Sequence, residues 1–63
     1  MNEKMSQYYG HGDYDNRRAS VHALSDGFYA AQAWDGSTSF RLGDFETEQQ
    51  AENAAEDYVL GQM

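Results

Sequence analysis

The residues of this sequence that could act chemically on a ligand fall into small groups, and the first is a serine–histidine pair. Ser20 and His22 lie two positions apart in the alternating stretch RASVHAL, so an extended chain places both side chains on one face. A histidine beside a hydroxyl can serve as a general base, but a nucleophilic site also needs an acid that orients the histidine. The sequence places no acid for that role and has no glycine-rich nucleophile turn, so we expect a protein that is not an enzyme.

A second group could bind a metal ion. His11, Asp13 and Asp15 occupy alternate positions of the stretch HGDYDNRR and offer nitrogen and oxygen ligands. For a calcium loop that begins at Asp13, however, the fifth position is Arg17, where an oxygen ligand is required, and no glutamate closes the loop. We therefore expect neither a metal site nor a cofactor.

A third group combines cationic, aromatic and amide side chains, which are the types enriched at the energetic centres of interfaces. Tryptophan and arginine can also stack on nucleic-acid bases. The alternative is that the tryptophan only covers an open sheet. We predict a surface that binds a protein partner or DNA, made of Arg17, Arg18, His22, Gln32, Trp34 and Arg41.

A fourth group is acidic and should lie on the side of a predicted helix that faces away from the sheet. Acids four positions apart on a helix repel one another, and no lysine relieves them. The helix dipole favours Glu48 in the first turn, but Glu56 and Asp57 lie near the end where it does not. An ordinary solvated face would also account for them. The predicted surface for a basic protein partner consists of Glu48, Glu52, Glu56 and Asp57.

The charge of the whole chain is strongly negative. Its 63 residues, enough for one small domain, include eleven acids and four bases, for a net charge of −7. Residues 42–63 contain six of the acids and no base. This field repels phosphate backbones and anionic membranes and favours cationic partners, although an acidic surface also keeps a small protein in solution.

The same composition bears on the cellular compartment. The chain has no cysteine, its longest uncharged apolar run is the four residues 28–31, and its first residues lack the apolar core of a signal peptide. We expect a soluble, cytoplasmic protein that does not enter a membrane.

The elements that must position these groups can be read from the alternation of apolar residues. Residues 1–16 show no period of two or of 3.6, so we expect a flexible arm followed by a single domain over residues 17–63. The stretches RASVHAL, FYAAQAW and STSFRL alternate as strands do. Between them, Ser25–Gly27 and Asp35-Gly36 are turn signals. The pattern predicts three antiparallel strands in meander order.

A helix should follow the third strand. Thr47 is a good N-cap, Gln50 completes a capping box, and Gly61 is a stop signal, so the helix is predicted from about Glu48 to Leu60. The resulting fold class is α+β, a three-stranded meander with one C-terminal helix packed on one face. The helix should contribute Ala51, Ala54, Ala55, Tyr58 and Val59 to the core, and the large side chains should be Tyr29, Phe40, Leu42, Phe45 and Tyr58.

The stretches YAAQAWD, FRLGDFET and EQQAENAAEDY carry a resemblance that covers residues 18–59. Their order resembles the AP2 (ethylene-response-factor) DNA-binding domain, which is related to integrase arm-binding domains. The resemblance implies a βββα scaffold that contacts DNA from the sheet face away from the helix, with arginines and tryptophans. The matching outward positions are Gln32, Trp34, Ser39 and Arg41, of which Trp34 and Arg41 are the expected residue types at shifted positions.

We therefore expect a small acidic, non-enzymatic regulator or inhibitor of phage or plasmid type that binds a protein, such as a basic nucleic-acid-handling protein. The alternative is an AP2-like protein that binds DNA through its open sheet face and N-terminal arm. A third hypothesis is a homodimer that forms through the sheet edge or the Trp34 face.

Overall fold

The computed structural model of the protein describes residues 3–62 and has four β-strands followed by one helix. The strands are β1 (Glu3–Tyr9), β2 (Arg18–Ala23), β3 (Tyr29–Trp34) and β4 (Ser39–Phe45), and the helix is α1 (Glu48–Val59). A short 3-10 turn, Gly12–Tyr14, lies between the first two strands. All neighbouring strands are antiparallel, in the order β1-β2-β3-β4. The predicted α+β class with one C-terminal helix is confirmed, whereas the predicted number of strands is wrong.

The additional strand comes from the segment that we expected to be a flexible arm. Strand β1 pairs with β2 so that Tyr8 faces Ala19 and Tyr9 faces Arg18, with an irregularity between Lys4 and Ser6. Pairing satisfies backbone groups along the outer edge of β2. The residues of β1 lack apolar alternation because β1 is an edge strand: Ser6 and Tyr8 lie on its helix side, and Gln7 and Tyr9 lie on its other side.

The two predicted turns are present, and each has a glycine with positive φ. Gly27 has φ 89° and Gly36 has φ 103°, values that residues with a Cβ rarely adopt. In the second turn, Asp35 Oδ1 accepts hydrogen bonds from the backbone N–H groups of Ser37 (2.9 Å) and Thr38 (2.8 Å). These bonds to the charged form hold the pKa of Asp35 below its ordinary value.

Strand β4 contains a β-bulge that interrupts the predicted alternation of Phe40 and Leu42 inward with Arg41 outward. Ala31 faces Gly43 in the register, whereas the next residue of β3, Gln32, faces Arg41, which leaves Leu42 as the extra residue. Leu42 still packs against the core. Phe40 lies at its edge, where its ring meets the Tyr58 ring edge-on at a centroid distance of 5.6 Å, and 40% of Phe40 stays exposed.

Local capping sets the helix boundaries. Thr47 Oγ1 accepts a 3.2 Å hydrogen bond from the backbone N–H of Gln50, as predicted. The Gln50 side chain in turn accepts from the backbone N–H of Glu46, also at 3.2 Å. The helix ends at Val59, one residue earlier than predicted, and Gly61 follows with φ 75°.

The core between α1 and the sheet is built mainly from alanine. Ala31, Ala51 and Ala55 are completely buried, as is Val21. Small side chains on both surfaces allow the helix to approach the sheet closely, so that larger side chains pack around the rim of the contact. The predicted helix stripe is confirmed as buried, but of the five large side chains expected in the core only Tyr58 is buried; Tyr29, Leu42 and Phe45 are partly buried, and Phe40 is exposed.

No helix within residues 3–62 is long and apolar enough to cross a membrane.

Candidate functional site

The face of the sheet opposite α1 carries most of the side chains that the sequence predicts to bind a protein partner or DNA. In antiparallel strands, residues that face each other in the register project to the same side. The register therefore forms a row across all four strands on this open face. We call it the Arg18 row: Tyr9, Arg18, Trp34 and Ser39.

The Arg18 guanidinium lies between two aromatic rings. Its central carbon is 4.9 Å from the centroid of the Trp34 ring and 5.9 Å from that of the Tyr9 ring. Both distances are within the range of cation–π attraction, which holds the long side chain flat on the sheet. Arg18 and Tyr9 are exposed, and Trp34 is partly buried. The tryptophan thus lies against the sheet and also supports a guanidinium that solvent can reach.

A second row runs beside the first and is polar. It is made of Gln7, Ser20, Gln32 and Arg41, one residue from each strand. Between the two rows the surface forms a shallow depression of about 280 Å³. Ala19 and Ala33, whose side chains point into the core on the other side of the sheet, contribute backbone to its floor. Its lining offers hydrogen-bond donors and acceptors and contains no acidic residue.

Arg41, which the sequence nominated for binding, has an acidic partner. Its Nη1 donates to Asp44 Oδ1 at 3.1 Å, and both side chains are 47% exposed. An exposed ion pair of this kind contributes little to stability because water and salt screen it. It does neutralise much of the positive charge of Arg41 at short range.

Arg17, which was predicted to belong to the same surface, lies instead against the C-terminal end of α1. Its guanidinium is 4.5 Å from the centroid of the Tyr14 ring and 4.7 Å from that of Tyr58, and Nη1 donates to the Tyr58 carbonyl oxygen at 2.8 Å. These contacts connect the loop before β2 with the last turn of α1. Arg17 is therefore occupied by the fold and does not line the open face.

Ser20 and His22 do share the open face, as their spacing predicted. The Ser20 Oγ and the His22 Nε2 are 2.8 Å apart, at hydrogen-bonding distance. Within the part of the chain that the structure describes, no carboxylate is hydrogen-bonded to this imidazole. The pair lies on a flat, open surface, and among the described side chains it has no third group of the kind that orients a catalytic histidine.

The acidic side of α1 lies next to strand β1 rather than on the far side of the helix. Ser6 Oγ donates a 3.2 Å hydrogen bond to Glu52 Oε2, so this carboxylate leans over the edge strand. Burial, with a smaller contribution from the Glu52 charge, raises the pKa of Tyr8. The expectation that these acids lie on the helix face opposite the sheet is thus wrong for Glu52.

The acidic side chains of α1 interact with one another, and this interaction shifts the pKa of Glu48. A hydrogen bond between its carboxyl group and that of Glu52 raises the pKa of Glu48, and the Glu52 charge adds to the shift. Glu56 is exposed and Asp57 is partly buried near the C-terminal end of the helix. The only ion pair among the described residues joins Arg41 and Asp44, so the acids of the helix have no cationic partner there.

The sequence predicted part of the open face and missed another part. It placed His22, Gln32, Trp34 and Arg41 on one surface, together with Arg18. It did not identify Gln7 and Tyr9, because they belong to a segment with no strand signal. Only their pairing with β2 brings them beside Ser20 and Arg18.

Among the described residues, no three His, Asp or Glu side chains are close enough together to hold a metal ion. Comparisons with models of protein families, with curated proteins and with solved structures give no match. The resemblance to AP2 domains remains a prediction from the quoted residues, and the fourth strand departs from the βββα order that it implies.

Proposed function

We propose that this chain is a small acidic regulator without enzymatic activity, which acts by binding another protein through its open sheet face. The observation that carries the proposal is the Arg18 row. Arginine, tryptophan and tyrosine are the residues most enriched among interface positions that dominate binding energy. Here one of each lies in contact on a sheet face that α1 leaves uncovered.

The electrostatics favour a protein over a nucleic acid as the partner. Binding to a phosphate backbone depends on several lysines or arginines that displace counterions. The chain has four basic residues in total, against eleven acids. Of the four basic residues, Arg17 is hydrogen-bonded to the end of the helix and Arg41 is paired with Asp44. A protein interface needs no such excess of positive charge.

The acidic side of the helix supports a basic partner. Its carboxylates have no cation beside them in the described structure, so a cationic surface would gain free energy by approaching them. A basic nucleic-acid-handling protein would suit this field, as expected for a phage- or plasmid-type inhibitor. In this proposal the helix acids, Glu48, Glu52, Glu56 and Asp57, attract the partner, and the open face supplies the principal contacts.

The test is capture of a partner from a nuclease-treated lysate of the source cells by the tagged chain. Trp34→Ala should reduce capture by about tenfold or more, as loss of an interface centre does. Phe28→Ala is the matched control, because it also removes an aromatic side chain, 41% exposed, but from the turn at the other end of β3. Equal capture by the two variants would contradict the assignment of the open face.

The charge contribution can be tested separately. Neutralising Glu52, Glu56 and Asp57 together should weaken capture and reduce its sensitivity to salt, because screening acts on the charges removed. Capture that is unchanged in this triple variant would exclude a role of the helix acids while leaving the open-face assignment in place.

Direct DNA binding is the second candidate function. The observation in its favour is that the open face presents arginine and glutamine side chains, which read guanine and adenine edges in the major groove. It predicts a mobility shift of duplex DNA at low salt that Arg41→Ala abolishes. No shift at low salt and high protein concentration would reject it, because the electrostatic attraction is strongest there. Sedimentation of the free chain tests the third hypothesis, a homodimer.

A further inference from the structure

We propose that the depression on the open face binds an extended segment of the partner protein through a carboxylate group of that segment. This inference rests on the proposed function and specifies the chemistry of the partner at the site of contact. The carboxylate would lie against the guanidinium of Arg18, and the adjoining main chain of the segment would follow the polar row.

Arg18 has the geometry of a carboxylate receptor that is ready to bind. Its guanidinium is exposed, and no acidic side chain of the described residues forms an ion pair with it. The Trp34 and Tyr9 rings hold it in place. A guanidinium can form two parallel hydrogen bonds to one carboxylate, and a side chain that is already held loses less conformational freedom on binding.

The rest of the depression suits a peptide chain. Ser20, Gln32 and Ser39 line it with groups that can both donate and accept hydrogen bonds, as a main chain requires. The floor between these side chains is backbone, because the Ala19 and Ala33 side chains point into the core, and Trp34 provides an apolar wall. At about 280 Å³ the depression is smaller than most pockets for small molecules, but it can receive one side chain of a protein segment.

Charge complementarity selects the carboxylate. The lining contains one cation and no acid, within a chain whose net charge is −7. A single guanidinium can neutralise one carboxylate, whereas a nucleic acid would bring a row of phosphates against an otherwise acidic protein. The contact is also compatible with a partner that is basic elsewhere, because the helix acids lie on a different surface from the depression.

The test uses short random peptides displayed on phage and selected on the wild-type chain. The enriched peptides are then synthesised, each with a counterpart in which Asp or Glu becomes Asn or Gln. Affinity for the full chain is measured by fluorescence anisotropy. We expect the enriched peptides to contain a shared acidic position, and its amide counterpart to bind about tenfold more weakly or worse.

Arg18→Gln is the decisive variant, and Arg41→Gln is its control on the same face. The first should lose about tenfold in affinity for the acidic peptides, and the second should change it by less than about twofold, because Arg41 already has an acidic partner. A backbone NMR spectrum of each variant shows whether its fold is unchanged.

Four outcomes would overturn the inference. The first three are that no peptide is enriched, that the enriched peptides share no acidic position, or that Arg18→Gln leaves their binding unchanged. The fourth is that the chain binds oligothymidylate, a single-stranded DNA probe, and binds no peptide. Failure of the inference is distinguishable from failure of the proposed function. If Trp34→Ala abolishes capture of the cellular partner and Arg18→Gln does not, the protein-binding role stands and the carboxylate contact is wrong.

Discussion

Arg17 donates a hydrogen bond of 2.8 Å to the carbonyl oxygen of Tyr58, which lies 41 positions later in the chain. Helix α1 has no basic residue in its own last turn, where the dipole carries partial negative charge. Arg17 supplies a positive charge at that position from the loop before β2, and the rings of Tyr14 and Tyr58 hold its guanidinium in place. One contact thus connects the helix C-terminus to the start of the second strand.

Replacement of Arg17 should therefore destabilise the fold. Arg17→Met keeps an apolar stem but removes the charged hydrogen bond, and we expect the free energy of unfolding to fall by about 1.5–3 kcal/mol. Urea denaturation measures the change. Arg18→Met is the matched control and should cost about 1 kcal/mol or less, because the cation–π contacts that it loses are exposed to solvent. Equal losses in the two variants would show that the contact with Tyr58 does not stabilise the helix end.

Gly10 should tolerate no side chain. A Cβ built on this residue would overlap with the carbonyl oxygen of Tyr14, which belongs to the backbone of the turn between β1 and β2. We expect Gly10→Ala to lower the free energy of unfolding by about 3 kcal/mol, the upper end of the usual range for overpacking. Urea denaturation or thermal melting will show the change.

The matched control for that variant is Gly12→Ala. A Cβ at Gly12 would meet no atom within 4 Å, so only its φ of 63° opposes the substitution. Gly12→Ala should lower the free energy of unfolding by about 1–2 kcal/mol. If Gly12→Ala lowered the free energy of unfolding more than Gly10→Ala, the turn would not approach Gly10 as closely as the structure shows.

The alanine interface between helix and sheet should be sensitive to added volume. Ala55 is completely buried, so Ala55→Leu must push α1 away from the sheet, and we expect a loss of about 1–3 kcal/mol in the free energy of unfolding. Asn53→Leu adds a leucine to the exposed side of the same helix and should change stability by no more than about 0.5 kcal/mol. Similar losses in both variants would mean that the contact is loose enough to accept larger residues.

Titration should reveal the interaction between the carboxyl groups of Glu48 and Glu52. Because the Glu52 carboxyl group raises the pKa of Glu48, Glu52→Gln should bring that pKa down towards its ordinary value. Carboxyl-carbon NMR of the folded protein measures it directly. A pKa of Glu48 that does not move in this variant would show that the two groups do not interact.

The same shift fixes the sign of a pH effect on stability. A carboxyl group whose pKa is higher in the folded state binds its proton more tightly there, so protonation favours folding. The destabilisation by Glu48 is thus fully present above its folded pKa, and it is relieved as the pH falls from the folded pKa to the unfolded value. Below both values this contribution no longer changes with pH. Thermal melting of wild-type and Glu52→Gln protein across this window should show the difference.

The elements that the sequence predicted correctly are those that local interactions decide. The Thr47 cap, the Gly61 stop and the Gly27 and Gly36 turns each depend on residues within a few positions. The alanine stripe of α1 has a period that identifies its buried side without reference to the sheet. These features were present in the sequence as complete signals, so the helix was predicted to within one residue.

The errors arose where a residue's surroundings come from distant parts of the chain. The sequence predicts an arm where β1 forms, because the residues of β1 have no apolar alternation and only their pairing with β2 makes them a strand. Arg17 looked like a surface residue because its contact is 41 positions away. The bulge at Leu42 changes which residues of β4 face β3, and the sequence has no signal for it.

The sequence by itself determined the net charge of −7, the concentration of acids after position 41, the turns and the helix, because composition and short-range backbone preferences set all of these. Only the tertiary structure decided which side chains meet. The antiparallel register places Tyr9, Arg18 and Trp34 in one row. Arg17 lies outside this row because it contacts the end of α1 at Tyr58. Such contacts join residues far apart in sequence, so they depend on how strands pair and how the helix lies across them.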